Sequence, residues 1–461
     1  MKGYTHFIGI GGTGLSAIAR VLLERGEQVS GSDRQDSALA QGLRQAGALV
    51  HIGHAAGHVN GAARVIRSSA VGEDNVEVQA ARTKGIPVLK RSDFLGELLA
   101  DQQVIAVAGS HGKTTTTVMI AWMLTALNQK PGFILGSIAQ NLKANASAGA
   151  GRLFVIEADE YDYMFLGLAP HLALVTNVEH DHPDLFRTPE DFQQAFRSFA
   201  DRIQPDGVLL ACSDDQGARD LMAYAQGKVR ETYGYAYSHK DADYFADKIQ
   251  PEDVQGFSFQ ALRGGKPLAE VSLQVPGLHN VANALGALAV ADQLGLDVEE
   301  AAMALGDFRG TQRRFELRGE AGGVAIVDDY AHHPTEIRST LAAARARYPQ
   351  RRLWAVWQPH TYSRTLAFWD DYAAAFSEVD RVVVTGVYAA REQQPDNFDL
   401  GELVNSIKHE DKHFSHNLEE AGDFLLNEIK KGDVVIVMSA GDATDLSQRL
   451  LTELEKQVRH A

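Results

Sequence analysis

The chain has 461 residues, 45% hydrophobic and 23% charged, which fits a globular protein of two to four domains. Its 44 Lys+Arg stand against 60 Asp+Glu, a formal charge of −16, which argues against general nucleic-acid or anionic-membrane binding. The single cysteine, Cys212, excludes an intrachain disulfide and a cysteine-rich metal site; no apolar run suits membrane insertion and no leader pattern opens the chain, so a cytoplasmic protein is expected.

The first elements alternate short β-rich runs with amphipathic stretches. FIGI leads into GLSAIARVLLERG, where Leu15, Ile18, Ala19, Leu22 and Leu23 fall at helical spacing. EQVSGSD, RVIRSSAV and IPVLKRSDFLGELLAD continue a parallel α/β pattern. Between the first strand and helix lies GIGGTG. Gly9, Gly11 and Gly14 match G-x-G-x-x-G, with Gly12 and Thr13 between them, and Asp33 follows where a dinucleotide fold has its ribose acid. Alone, this motif reads as a nicotinamide-dinucleotide site.

A second unit begins near residue 102. VIAVAG is a buried strand, and GSHGKTTTTVMIAWMLTALN is a loop running into a helix. Backbone N–H groups of Gly109, Ser110, His111 and Gly112 can face an anion at the helix N-terminus. Lys113 can reach β- and γ-phosphates, Thr114 can place its hydroxyl on Mg²⁺, and Thr115 follows. Val107 stands where the full Walker pattern has glycine, so this is a shortened P-loop. FVIEADEYD then brings Glu157, Asp159 and Glu160 to a strand end, a hard-oxygen set suited to Mg²⁺, while Asp162 reads as a solvated turn. TNVEHDHPD adds Asp181 and His182, and GVLLACSDD is a further strand. The run from 236 to 275 suggests a small antiparallel addition. PGLHNVANALGA puts His279, Asn280 and Asn283 at a helix entry, as caps or as adenine readers.

A third unit begins near 316, preceded by Arg313 and Arg314 in TQRRFELRG. VAIVDDYAHHP is a strand, then a loop with Asp328, Asp329, Tyr330, His332 and His333; Pro334 opens the next helix. RLWAVWQPH, DRVVVTGVY and GDVVIVMSAGD are three more strands, and QPHTYSRT sets His360 and Arg364 at a strand end. HEDKHFSH, with His409, His413 and His416, reads as a solvated face. The expected domains are 1–101, 102–315 and 316–461.

The series GIGGTGLS, AGSHGKTTTT, EADEYD, NVEHDH, GLHNVANALGA, RRFE, DDYAHHPTEI and QPHTYSRT resembles the Mur ligases, from residue 6 to about 445. The last two motifs are closest to members that add L-alanine to UDP-N-acetylmuramate. The resemblance implies a Rossmann-like N-terminal domain, a P-loop central ATPase-type domain and a Rossmann-like C-terminal domain. It implies ATP and Mg²⁺, an acyl-phosphate intermediate, and a monomer or homodimer. GIGGTG would then hold the UDP diphosphate, with Asp33 near uridine. Lys113 would hold phosphates, and Thr114, Glu157 and His182 would face the metal. Asn283, with His279 and Asn280, would face adenine; Asp329 would contact ribose, with Arg314 a nucleotide-side cation. Tyr330, His332, His360 and Arg364 would line the alanine site.

Two departures stand out. Some relatives carry a carbamylated lysine soon after the Asp-His motif, whereas no lysine occurs here from His182 until Lys228. Many alanine-adding members have arginine where this chain has Thr361. Competing readings are a ligase that recycles murein peptides onto the same sugar nucleotide, a dehydrogenase, and a nucleotide sensor without turnover.

Overall fold

The computed structural model describes residues 3–252 and 256–460. Among these residues, three sheets of five, ten and six strands follow one another along the chain, each flanked by helices. The first sheet is all parallel, in the order Leu49–Ile52, Val29–Asp33, Tyr4–Ile8, Ala62–Arg67, Val88–Lys90. Strand order reverses beside Tyr4–Ile8, so GIGGTG opens into the crevice where such sheets take ligands. Gly9 makes the turn at φ +87°, and the helix Thr13–Glu24 buries Leu15, Ile18, Val21 and Leu22.

The central sheet runs Lys266–Ser272, Phe257–Arg263, Tyr244–Pro251, Glu231–Ala236, Val208–Cys212, Leu172–Val175, Gln103–Ala108, Leu153–Glu157, Gly132–Ala139, Ala144–Ser147. Its middle strands are apolar throughout because helices cover both faces. Gln103–Ala108 lies between Leu153–Glu157 and Leu172–Val175, all parallel. This order seats the P-loop between Glu157 on one side and the Thr176–Asn177 turn on the other. The antiparallel addition expected over 236–275 extends the same sheet at its edge. Gly132–Ala139 and Ala144–Ser147 were not foreseen; their glycine and polar residues break the alternating pattern.

The helix after the P-loop, Lys113–Ala126, has four threonines, poor helix formers, directly after its first residue. Packing overrides propensity here. Thr116 and Thr117 are wholly buried, and the Thr117 hydroxyl donates back to the Lys113 carbonyl at 2.7 Å. A second buried helix, Leu278–Gln293, lies against the same face. One apolar cluster joins Phe7, Ile18 and Leu22 of the first domain to Ile156, Phe165 and Phe196 of the second.

The last sheet runs Glu316–Ala321, Val324–Asp329, Val434–Met438, Leu353–Trp357, Arg381–Val384, Lys412–Phe414, antiparallel only at its first pair. Lys412–Phe414 corrects the reading of HEDKHFSH as a solvated face. It is an edge strand, and His413 stacks on Phe424 with ring centroids 3.6 Å apart.

Candidate active site

The P-loop brings its polar groups together by backbone strain that glycine tolerates. Gly109 has φ +137° and Gly112 φ +80°. A side chain on Gly109 would collide with Thr176, and one on Gly112 would press on Asn283 Oδ1 at 3.0 Å. The loop is pinned from the next strand: His111 N–H donates to Asn177 Oδ1 at 2.8 Å, and Glu179 N–H donates to Ser110 Oγ at 2.9 Å. Lys113 Nζ donates to the carbonyls of Gly109 and Ser110 and pairs with Glu160 at 2.8 Å. Burial works against that ammonium, but Glu160 and Asp159 outweigh it and raise its pKa. Thr114 Oγ1 donates to Glu157 Oε1 at 3.0 Å, and Gly136 N–H donates to Glu157 Oε2 at 2.9 Å. Burial raises the Glu157 pKa. A hydroxyl and a carboxylate in contact beside a phosphate loop are hard oxygen donors of the kind that, with waters and phosphate oxygens, can hold Mg²⁺.

Across a cavity of about 660 Å³, the third domain faces this loop with Tyr330, His332, His360, Thr361 and Arg364. Arg364 is 3% exposed. Its Nε donates to Asp181 Oδ1 at 2.8 Å, and its terminal nitrogens lie 3.0 Å from His360 Nδ1 and 3.2 Å from His182 Nδ1. His182 Nε2 lies 3.4 Å from Glu160 Oε1. Burial opposes a charge on His182, yet Asp181 and Glu160 raise its pKa. Burial lowers the pKa of His332 to about 3 and that of His360 to about 4, so both rings are neutral at pH 7. Four non-glycine residues on this wall have positive φ: His182 (+54°), Arg313 (+57°), Thr361 (+60°) and Ala390 (+53°). Such backbone is costly and tends to gather where side chains must be aimed.

A second interdomain link lies behind the loop. His111 Nε2 is 3.2 Å from Glu179 Oε2 and its Nδ1 is 3.5 Å from Glu336 Oε1. Burial alone would lower the His111 pKa; the two carboxylates instead raise it to about 9. Glu336 also accepts from the backbone N–H groups of His332 and His333 at the start of helix Pro334–Arg347. His111, Glu179 and His333 bring ligand atoms within 4.8 Å of one another. The bond that His333 Nδ1 accepts from Thr335 N–H puts the ring proton on Nε2, which disfavours ligation there.

A further cavity of about 470 Å³ is lined by Thr115, Asn177, His279, Asn280, Asn283, Arg314 and Asp329. Asn280 is no helix cap, since Gly277 holds that position; its Nδ2 donates to the Pro276 carbonyl at 2.6 Å and its Oδ1 accepts from Asn283. Asp329 lines the cavity, yet its two oxygens already accept from Phe315 and Ala331 N–H at 2.7 Å each. Burial raises its pKa to about 6. In the first domain, Gly11 N–H donates to Asp33 Oδ2 at 2.8 Å, so Asp33 braces the glycine loop. Thr13 reaches the large cavity, and Arg91, which pairs with Asp159 at 3.1 Å, lies against Gly14.

Three family models match in the order of the three domains: Mur ligase family, catalytic domain over residues 4–103; Mur ligase middle domain over 107–291; and Mur ligase, glutamate ligase domain over 313–441. A UDP-N-acetylmuramate–L-alanine ligase of Roseiflexus sp. (strain RS-1) is 42% identical over 98% of this chain and 99% of its own. The chain belongs to the Mur ligase family. Among solved structures, the UDP-N-acetylmuramate-alanine ligase MurC from Thermotoga maritima superposes with TM-score 0.82 at 27% identity, covering 99% of this chain and 100% of that one. A murein peptide ligase from Psychrobacter arcticus gives 0.72 at 27% identity, over 98% and 99%.

In this Mur ligase the residues expected around phosphate and metal stand together, and so do the four expected around the amino acid. The expectation for Arg364 changes. Arg364 is not a free cation at a strand end. It lies in the helix Tyr362–Ala367, and its donors are engaged by Asp181, His182 and His360. Glu179 and Glu336, and the partners of Asp181 and Glu160, carry no local signal in the sequence, because the groups they pair with lie far along the chain. Among the described residues, no helix is long and apolar enough to cross a membrane.

Proposed function

We propose that this Mur ligase joins L-alanine to the lactyl carboxylate of UDP-N-acetylmuramate, with ATP converted to ADP and phosphate, in peptidoglycan precursor synthesis in the cytoplasm. The observation that carries the reading is one cavity walled by all three domains: Thr13 from the first, Lys113, Thr114 and Glu157 from the second, and Tyr330, His332 and His360 from the third. Relatives bearing the alanine-ligase name over their full length support the choice of amino acid. The dehydrogenase reading leaves the phosphate loop without a task.

A carboxylate is a poor electrophile because its leaving group would be oxide. A lactyl oxygen attacks the γ-phosphorus of ATP, the bond to the β–γ bridging oxygen breaks, and ADP leaves. The amine of L-alanine then attacks the carbonyl carbon of the acyl phosphate. The tetrahedral adduct collapses, phosphate departs with the bonding electrons, and the amine gives up a proton. Lys113 moves from Glu160 to the transferring phosphoryl group, while the P-loop N–H groups hold the β-phosphate. Thr114 and Glu157, with His182 nearby, would hold Mg²⁺, which supplies charge neutralisation on the phosphates. Neutral His332, whose Nδ1–H donates to the Tyr330 carbonyl at 3.0 Å, can accept the amine proton at Nε2. Asn283 and Asn280 face adenine, Arg314 and Asp329 lie on its ribose side, and GIGGTG with Asp33 receives the UDP moiety.

The test is a heavy-oxygen label on the lactyl carboxylate. One labelled oxygen should appear in the released phosphate only when ATP, the sugar nucleotide and L-alanine are all present. Release of unlabelled phosphate alone would rule out carboxylate activation.

A further inference from the structure

We propose that Arg391 supplies the cation that receives the carboxylate of the amino-acid substrate. The inference rests on the ligase reading above and names a residue of its amino-acid site.

An amino acid as small as alanine offers a methyl, an amine and a carboxylate, so the carboxylate carries much of its orientation. A guanidinium fork is the side chain best matched to it. Arg364 is the arginine inside the wall, but its Nε and both terminal nitrogens already bind Asp181, His360 and His182, and it is 3% exposed. Thr361 is uncharged, and its hydroxyl caps the helix Tyr362–Ala367. The other cations on the cavity wall are engaged as well. Lys113 is held by Glu160, Arg314 by Glu336, and Arg313 by the carbonyls of Ser439 and Gly441.

Arg391 differs. It lines the same cavity, is exposed, and has no carboxylate within ion-pair distance among the described residues. Its one polar contact is Tyr161 Oη at 3.4 Å, with the guanidinium 5.8 Å from that ring's centroid. The loop that carries it is fixed against the amino-acid wall. Thr361 N–H donates to the Tyr388 carbonyl at 3.0 Å, and Tyr388 N–H donates to the Pro359 carbonyl at 2.8 Å. His360 and Tyr388 stack at 5.7 Å, and Glu392 accepts from Ser363 N–H at 2.9 Å. Ala390, at φ +53°, makes the turn beside Arg391 in a conformation that alanine adopts at a cost. A loop held against the amino-acid wall, with one strained residue, thus presents to the shared cavity a guanidinium with no carboxylate partner among the described residues.

Steady-state ADP release by the full-length enzyme tests this, with wild type, Arg391→Ala and Arg391→Lys assayed on L-alanine and on L-alaninamide, which lacks the carboxylate charge. Arg391→Ala should raise the KM for L-alanine about tenfold or more, the scale of a lost charged hydrogen bond, and leave the KM values for ATP and UDP-N-acetylmuramate within about twofold. The preference for L-alanine over L-alaninamide should shrink by the same factor, and Arg391→Lys should fall between. An unchanged KM for L-alanine overturns the inference, as does a rise confined to UDP-N-acetylmuramate, which would assign Arg391 to the sugar nucleotide. Wild-type enzyme that releases no ADP with L-alanine would overturn the ligase reading itself.

Discussion

Arg364 and Asp181 meet across the boundary between the last two domains, with Nε and Oδ1 2.8 Å apart and both side chains less than 5% exposed. Burial opposes the charge on Asp181, and the Arg364 guanidinium overrides it and holds the carboxyl well below its usual range. A buried pair of this kind is weak evidence for stability, but breaking it leaves an unpaired charge at a cost of roughly 3–5 kcal/mol. It ties His182, on the phosphate side, to His360, on the amine side.

Arg364→Lys keeps the charge and loses the fork. The pair with Asp181 can re-form, while the contacts to His182 and His360 cannot both survive. We expect kcat to fall about tenfold or more with a smaller change in the KM for L-alanine, because domain alignment is lost rather than a substrate contact. Steady-state kinetics at saturating ATP checks this. A pure rise in the KM for L-alanine would return Arg364 to the role of substrate clamp.

Lys113→Ala removes the cation that exchanges Glu160 for phosphate. ADP release should drop by about 10²–10³-fold or more, the scale of one lost transition-state donor. It also leaves Glu160, wholly buried, without its partner, so a melt must accompany the assay. A folded variant with near wild-type turnover would remove the ATP assignment.

Gly11→Val targets the first domain. A Cβ at this position would sit 2.7 Å from Ser37 Oγ and 3.0 Å from Asp33 Oδ2. The loop must shift, and UDP-N-acetylmuramate binding should weaken while ATP binding is kept. Calorimetry with each ligand separates the two. Equal loss of both would mean the change spreads into the central domain.

His111 makes part of the interdomain stability depend on pH. Its pKa rises from 6.5 to about 9 on folding, since Glu179 and Glu336 outweigh burial. The stabilisation is therefore complete below about pH 6.5 and lost as pH climbs through about 9. His111→Gln should lower Tm at about pH 6 and make little difference at about pH 10, where the wild type has lost the same charge. A Tm gap independent of pH would contradict this.

Much of the fold was legible because buried parallel strands such as VIAVA and VVIVM are short apolar runs bounded by turns. The P-loop was legible because Gly109, Gly112 and Lys113 sit together in sequence. The pairing of Arg364 with Asp181 was not, since 183 positions separate them and nothing local ties one to the other. Nothing in the sequence singles out Glu336, one acid in the first turn of a helix opened by Pro334. It caps that helix, and it also faces His111 from another domain, which only the tertiary fold decides. The edge strand Lys412–Phe414 was hidden because three residues in a polar run carry no periodicity.

The measurement that bears most directly on the central claim is a competition. Wild-type enzyme, ATP, Mg²⁺ and UDP-N-acetylmuramate are incubated with equimolar L-alanine and L-alanyl-γ-D-glutamyl-meso-diaminopimelate, and the products are resolved by mass. The ligase reading, which the alanine-ligase names of full-length relatives support, predicts UDP-N-acetylmuramoyl-L-alanine as the dominant product, with one ADP released per amide formed. A dominant tripeptide product, or ADP release without any amide, would contradict the account.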